Sequence, residues 1–188
     1  MKWKLFFVML LVLNASAPAV IAEVQVGGVK FSQAIEIGNT PMSLKGYGLL
    51  RYMVLIKAYA GALYLAESSD QADALDPVAK RLELQYFHAI SREDFARATR
   101  KKIMDNVSGE EAARIQLKID QFAELYRSVE PGDRYSLTYL PGEGTELALN
   151  GQALGTIPGS DFARAVFAIW LGPNPIDSDF RDLLLGST

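Results

Sequence analysis

From Val24 to Leu65 the apolar positions come in short runs rich in Val, Ile, Leu and Tyr, punctuated by Gly27-Gly28, Gly38-Asn39 and Gly46-Tyr47-Gly48. That pattern predicts strands joined by turns. Residues 68–79 predict a loop or short helix, and Arg81 to Phe87 then alternates as a half-buried strand does. There the period changes. Ser91 precedes Asp94 by three and Ser108 precedes Glu111 by three, two capping-box-like helix starts whose side chains can accept free backbone N–H groups. The second helix carries Ala112, Ile115, Ile119, Phe122, Tyr126 and Val129 at intervals of three and four, with Pro131-Gly132 as its expected end. Such a seam covers a sheet or pairs two protomers, and the sheet is the expected partner. Arg134 to Leu140 alternates again, and Thr145 to Leu149 meets Asn150-Gly151, a type I′ hairpin signal, before Ala153 to Ile157 returns. Ser160 is expected to cap a helix through Phe162, Val166 and Ile169 to Leu171, and Pro175-Ile176-Asp177 to open a shorter one with Phe180, Leu183 and Leu184. Strands, two helices, strands and two helices do not alternate as βαβ units do. The order predicts an α+β layer structure, a mainly antiparallel sheet covered by helices.

Residues 1–22 form a separate unit. Lys2 and Lys4 precede the apolar run Leu5 to Leu13, and small residues lead to Val20-Ile21-Ala22, the layout of a secretory signal peptide cleaved after Ala22. The run is about half of the ~20 residues that a spanning helix requires, so no permanent membrane anchor is expected. Residues 23–188 are then the folded domain, and the expected location is periplasmic or secreted.

Composition narrows the chemistry. There is no cysteine, which removes disulfides, thiolate metal sites and a cysteine nucleophile; zero cysteines in an exported chain point to a bacterial envelope. Without Lys2 and Lys4 the remaining chain has 17 basic and 22 acidic residues, so no basic footprint for nucleic acid exists. His88 is the only histidine, so a His-based triad or a zinc site cannot be built around it, and it reads as a strand-end residue. Gly142-Glu143-Gly144 lies between predicted strands and reads as a hairpin turn rather than a phosphate cradle. The acids Glu110-Glu111 and Asp177-Ser178-Asp179 sit at predicted helix starts, where the dipole favours them. No cofactor, metal site or catalytic residue is expected.

Longer motifs carry a resemblance. Ser43-Leu44-Lys45-Gly46-Tyr47-Gly48-Leu49-Leu50-Arg51, followed by Ile56-Lys57-Ala58-Tyr59-Ala60-Gly61-Ala62-Leu63-Tyr64-Leu65, resembles the chalcone isomerase-like superfamily. Asn106, Pro141-Gly142, Gly144-Thr145, Asn150-Gly151 and the stretch from Phe162-Ala163 through Trp170-Leu171-Gly172 to Leu185-Gly186 are similar to its secreted bacterial branch. The resemblance implies an open-faced β-sandwich with a ligand cleft between a large antiparallel sheet and a helix layer. Members of the superfamily cyclise chalcones, bind fatty acids, or assist enzymes without catalysing a reaction.

By that resemblance Arg51 matches the cleft arginine, which would meet a carboxylate or phenolate oxygen; its other reading is a strand arginine facing water. Tyr59 falls where the isomerases carry threonine and the fatty-acid-binding members carry tyrosine, or is a packed aromatic. Asn106 matches a cleft asparagine, or ends a helix. The isomerases' cleft tyrosine and their threonine near the chain's end would fall near Thr99 and near Ile169-Trp170, both departures that count against cyclisation. Eight residues of unbroken strand would hold Arg51 and Tyr59 about 26 Å apart, so a joint site needs a turn between them. The resulting expectation is an exported, non-catalytic protein that holds a small amphipathic, fatty-acid-like carboxylate at Arg51, Tyr59 and Asn106. The alternatives are an intramolecular lyase of the chalcone isomerase type and an envelope assembly protein.

Overall fold

The computed structural model describes residues 22–52, 56–66 and 73–187. The stretch read as a signal peptide lies, apart from Ala22, outside the described residues, as do residues 68–72 of the loop or short helix read at 68–79. Strands β1 (Glu23–Val26) and β2 (Val29–Ser32) pair as a hairpin. A seven-stranded antiparallel sheet follows in simple meander order: β3 (Ala34–Ile37), β4 (Thr40–Tyr52), β5 (Ile56–Ala66), β6 (Lys80–Tyr86), β7 (Arg134–Leu140), β8 (Gly144–Leu149) and β9 (Gln152–Ile157). Helices α1 (Arg92–Met104) and α2 (Gly109–Leu125) lie between β6 and β7, and α3 (Ser160–Leu171) and α4 (Ser178–Leu184) close the chain. This is the expected α+β, open-faced arrangement.

Local signals explain most boundaries. Ser91 Oγ accepts Asp94 N–H at 3.1 Å, Ser108 Oγ accepts Glu111 N–H at 3.2 Å and Asp177 Oδ1 accepts Phe180 N–H at 2.7 Å, each occupying a donor at a helix start. Asn150 (φ 51°) and Gly151 (φ 81°) make the expected type I′ turn between β8 and β9. Three expectations are corrected. Gly46-Tyr47-Gly48 is not a turn but the middle of β4, where the missing Cβ atoms let α4 lie on the strand: a Cβ on Gly48 would come within 2.8 Å of Leu183. Helix α2 ends at Leu125, not at Pro131-Gly132, because Tyr126 turns extended (ψ 144°) and Val129 pairs with Ile90 as an isolated β-bridge. The seam survives this change, since Tyr126 and Val129 stay buried with the four residues before them. Ser160 is the first residue of α3 rather than its cap; Gly159 (φ 103°) occupies that position, and Asp161 Oδ1 accepts Phe162 N–H at 2.8 Å.

The sheet has two covered faces. One packs against the helices through a cluster that includes Leu63, Leu82, Leu84, Ile115, Phe122, Leu137 and Phe162. The other is covered by the β1–β2 hairpin, whose Val29 and Phe31 meet Met42, Ala60, Ala62 and Tyr64. Successive residues of a strand serve opposite faces, so parity along β4, β5 and β6 decides which side chains can reach a site beneath the helices.

Candidate functional site

A cavity of about 210 Å³ lies between the helix face of the sheet and α1, α2 and α3. The sheet supplies Tyr59 from β5, Leu82, Leu84 and Tyr86 from β6, Tyr135 and Leu137 from β7, and Leu147 from β8. Phe95, Ala98, Thr99 and Lys102 come from α1, spaced so that one helix face looks inward, with Phe122 and Tyr126 from the α2 seam and Ile169 and Trp170 from α3. The space exceeds the ~150 Å³ void that accepts benzene in a protein core and falls below the usual range of drug-sized pockets, so a slender or short ligand fits.

Aromatic rings shape one wall. Tyr59 packs against Tyr86 at 5.4 Å and edge-on against Phe180 of α4 at 5.4 Å, while Phe95 stacks on Tyr126 at 5.2 Å. Trp170 Nε1 donates to the Tyr59 hydroxyl oxygen at 3.1 Å, and the hydroxyls of Thr99 and Tyr126 bond to each other at 2.8 Å. Burial pushes the phenols of Tyr59, Tyr86 and Tyr126 above their ordinary value, so all three stay protonated hydrogen-bond donors at neutral pH.

Two charged side chains line the cavity, Asp94 and Lys102. Asp94 is engaged outside it, taking Ser91 Oγ–H at 2.7 Å and pairing with Arg97; the Ser91 bond first, and Arg97 after it, hold its carboxyl below the usual range. Lys102 donates to the Pro175 carbonyl at 3.0 Å, at a mouth whose exposed lip also includes Ala98 and Ile176. The single cation of the wall therefore sits at the entrance.

The three residues singled out by sequence go to three different places. Tyr59 is in the cavity wall. Arg51 is exposed and outside it: β4 and β5 run antiparallel, as a joint site required, but the register sets Leu50 opposite Tyr59 and Arg51 opposite Lys57. Lys57 reaches the Gly27 carbonyl and the Phe87 ring on the hairpin side, so Arg51 shares that side and the sheet separates it from the cavity. The bulge between the two pairs does not bring them together. Asn106 does not line the cavity either. Its Nδ2 donates to the Lys102 and Asn174 carbonyls, both at 2.9 Å, and its Oδ1 accepts Asn174 N–H at 3.0 Å, tying the end of α1 to the loop that carries Pro175 and Ile176. It fixes the rim. The positions where the isomerase hydroxyls would fall, Thr99 and Ile169-Trp170, do line the cavity.

Sequence reasoning passed over Tyr86, Phe95, Tyr126 and Lys102 as site residues. The signal for Tyr86 was the alternation Leu82, Leu84, Tyr86, and for α1 the spacing of Phe95, Thr99 and Lys102, though neither says that a void lies between them. Among the described residues no group of His, Asp or Glu that could hold a metal ion occurs, and no helix is long and apolar enough to cross a membrane.

Comparison with known proteins agrees with this architecture. No curated protein matches the chain. Among solved structures, the crystal structure of an Arabidopsis thaliana fatty-acid binding protein superposes with a TM-score of 0.68 at 17% identity, over 87% of this chain and 96% of that one, a likeness of fold. The chalcone isomerase-like family profile matches residues 23–186, which takes in every strand and helix described above, and the chain belongs to that family.

Proposed function

We propose that this protein is a non-catalytic carrier that holds an amphipathic carboxylate, fatty-acid-like, in the cavity between sheet and helices. The observation that carries the reading is the distribution of polarity: an aromatic and aliphatic wall with one cation, Lys102, placed at the mouth. A chain can lie inside while its carboxylate stays half-hydrated beside an ammonium, which avoids the desolvation penalty of an ion deep in an apolar cavity. The fold shared with a plant fatty-acid binding protein supports the same class of ligand. The charge contact falls to Lys102 rather than Arg51, which lies across the sheet.

Displacement of a fluorescent fatty acid tests the assignment. Ala98→Trp, which fills the lip from an exposed helix position, is expected to weaken binding at least about tenfold, equivalent to the loss of a well-packed apolar contact. Lys102→Met is expected to weaken it up to about fivefold, the range of a solvent-screened ion pair. Arg51→Ala should leave it within twofold. Equal binding by wild type and Ala98→Trp would place the ligand elsewhere and end this reading.

Export completes the proposal: residues 1–22 act as a removable leader, which puts the chain in the secreted bacterial branch of the family. N-terminal sequencing of protein recovered from the envelope fraction should begin at Glu23; a chain that retains Met1 would contradict it.

A further inference from the structure

Tyr86 ends β6 and stands in the cavity wall among Tyr59, Phe95 and Tyr135, with ring centroids 5.4, 5.3 and 6.1 Å away. It is 4% exposed, and among the described residues nothing makes a hydrogen bond to its hydroxyl. The fully enclosed side-chain oxygens without a partner among those residues are Ser136 Oγ and Thr145 Oγ1. Tyr86 Oη is not one of them, so it borders open space, and the open space against Tyr86 is the cavity.

Its neighbours have hydrogens to give as well. Tyr59 accepts from Trp170, which leaves its own O–H proton without an acceptor among the described residues. The Thr99–Tyr126 pair contains two O–H groups and uses one of them. Tyr135, by contrast, is complete: it donates to the Arg127 carbonyl and accepts Arg127 N–H, both at 2.7 Å. Inside the mouth the wall therefore offers donors in excess of acceptors. A plain alkyl chain in this space would strip water from those hydroxyls and return nothing, leaving buried donors unpaired. A carboxylate would satisfy them but would lie away from the one cation. An uncharged acceptor avoids both penalties.

We infer that the ligand carries, besides the carboxylate at Lys102, a ketone or hydroxyl oxygen along its chain that accepts the Tyr86 hydroxyl proton, with the Tyr59 hydroxyl as second donor. This rests on the carrier reading above and adds the ligand class, an oxygenated amphipathic acid rather than a simple fatty acid.

The test uses dodecanoic acid and a set of dodecanoic acids with a single ketone at each carbon from 4 to 10, titrated into wild type, Tyr86→Phe and Lys102→Met. In wild type at least one ketone position should bind about tenfold tighter than dodecanoic acid, the effect of pairing a buried donor. Tyr86→Phe should reduce that ratio to within twofold, whereas Lys102→Met should weaken ketone and plain acids by the same factor and keep the ratio. The carbonyl stretch of the best ketone acid, carbon-13 labelled, should lie at lower frequency when bound to wild type than in an aprotic solvent, a reading that needs no variant. Dodecanoic acid bound as tightly as every ketone acid, a ratio unchanged in Tyr86→Phe, or an unshifted stretch would each overturn the inference while leaving the carrier reading intact. No binding of any acid would overturn both.

Discussion

Gly46→Ala should unfold this protein more readily than any other single methyl group added to β4 or β5. An ideal Cβ at Gly46 would stand 2.7 Å from the Leu184 carbonyl carbon and closer still to the carbonyl oxygens of Leu183 and Leu184. Those are backbone atoms at the end of α4, which cannot rotate aside as a side chain can, so the helix must lift from the strand. Overpacking of this kind costs about 3 kcal/mol or more, which lowers the melting temperature of a domain this size by about 6–12 °C. The damage extends to the cavity. Phe180 of α4 packs edge-on against Tyr59, and a Cβ on Gly61 would come within 2.8 Å of the same Phe180 ring, so α4 is seated on β4 and β5 together. A lifted α4 removes the support behind Tyr59, and Gly46→Ala is expected to lose ligand as well as stability. Gly109→Ala is the control: at the first position of α2, with nothing within 4 Å of an added Cβ, it should change stability by less than about 1 kcal/mol, toward stabilisation. Scanning calorimetry decides the matter; a Gly46→Ala melting point within about 2 °C of wild type would mean that α4 is not seated as described.

The same glycines show where the sequence could be read and where it could not. Alternation and capping residues report local preferences, and they correctly place the strands from Arg134 to Ile157 and the helix starts at Ser91, Ser108 and Asp177. Gly46-Tyr47-Gly48 has the composition of a turn. What keeps it in a strand is a helix that arrives more than 130 residues later, and no local signal carries that. Tyr126 and Val129 fit a helical period equally well, yet the helix stops before them because the bridge between Val129 and Ile90 competes for the backbone.

The site was legible to a smaller extent for a related reason. Tyr59 was found through a family motif and lies in the wall. Arg51 was found through the same motif and lies across the sheet, since facing is fixed by register and a bulge beside Leu50 sets Arg51 opposite Lys57 rather than beside Tyr59. Tyr86 of β6, Phe95 and Lys102 of α1, and Tyr126 just past α2 come from three places in the chain and meet only through tertiary packing. Each looked like an ordinary core or surface residue of its own element.

Raising the pH from 7 to 10 is expected to stabilise the protein, through Lys80. This lysine is 1% exposed, with its ammonium 2.5 Å from the Ala74 carbonyl oxygen, 2.6 Å from that of Asp76 and over the rings of Phe167 and Tyr139 at 5.3 and 5.8 Å. Burial lowers its pKa from 10.5 to about 8, against the opposing pull of Asp76 and Asp73. Between those two values the unfolded chain holds the proton and the folded chain has released it, so the unfolded state binds more protons and stability rises with pH across that window. Below about pH 8 both states are protonated and the term is flat; its full span is about 3 kcal/mol. From about pH 9 the buried phenols of Tyr59, Tyr64, Tyr86 and Tyr126 act increasingly in the opposite sense, because burial keeps them protonated in the fold while the unfolded chain ionises. Stability should therefore climb from about pH 8, peak between about pH 9 and 10 and fall beyond it. Lys80→Met retains the tyrosines and removes the lysine, so the difference between the two urea-unfolding curves isolates one group: wild type should gain about 2–3 kcal/mol on the variant between pH 7 and 10. A constant difference across that range would mean that Lys80 titrates alike in both states, and that the loop carbonyls and rings around it compensate fully for the water it has lost.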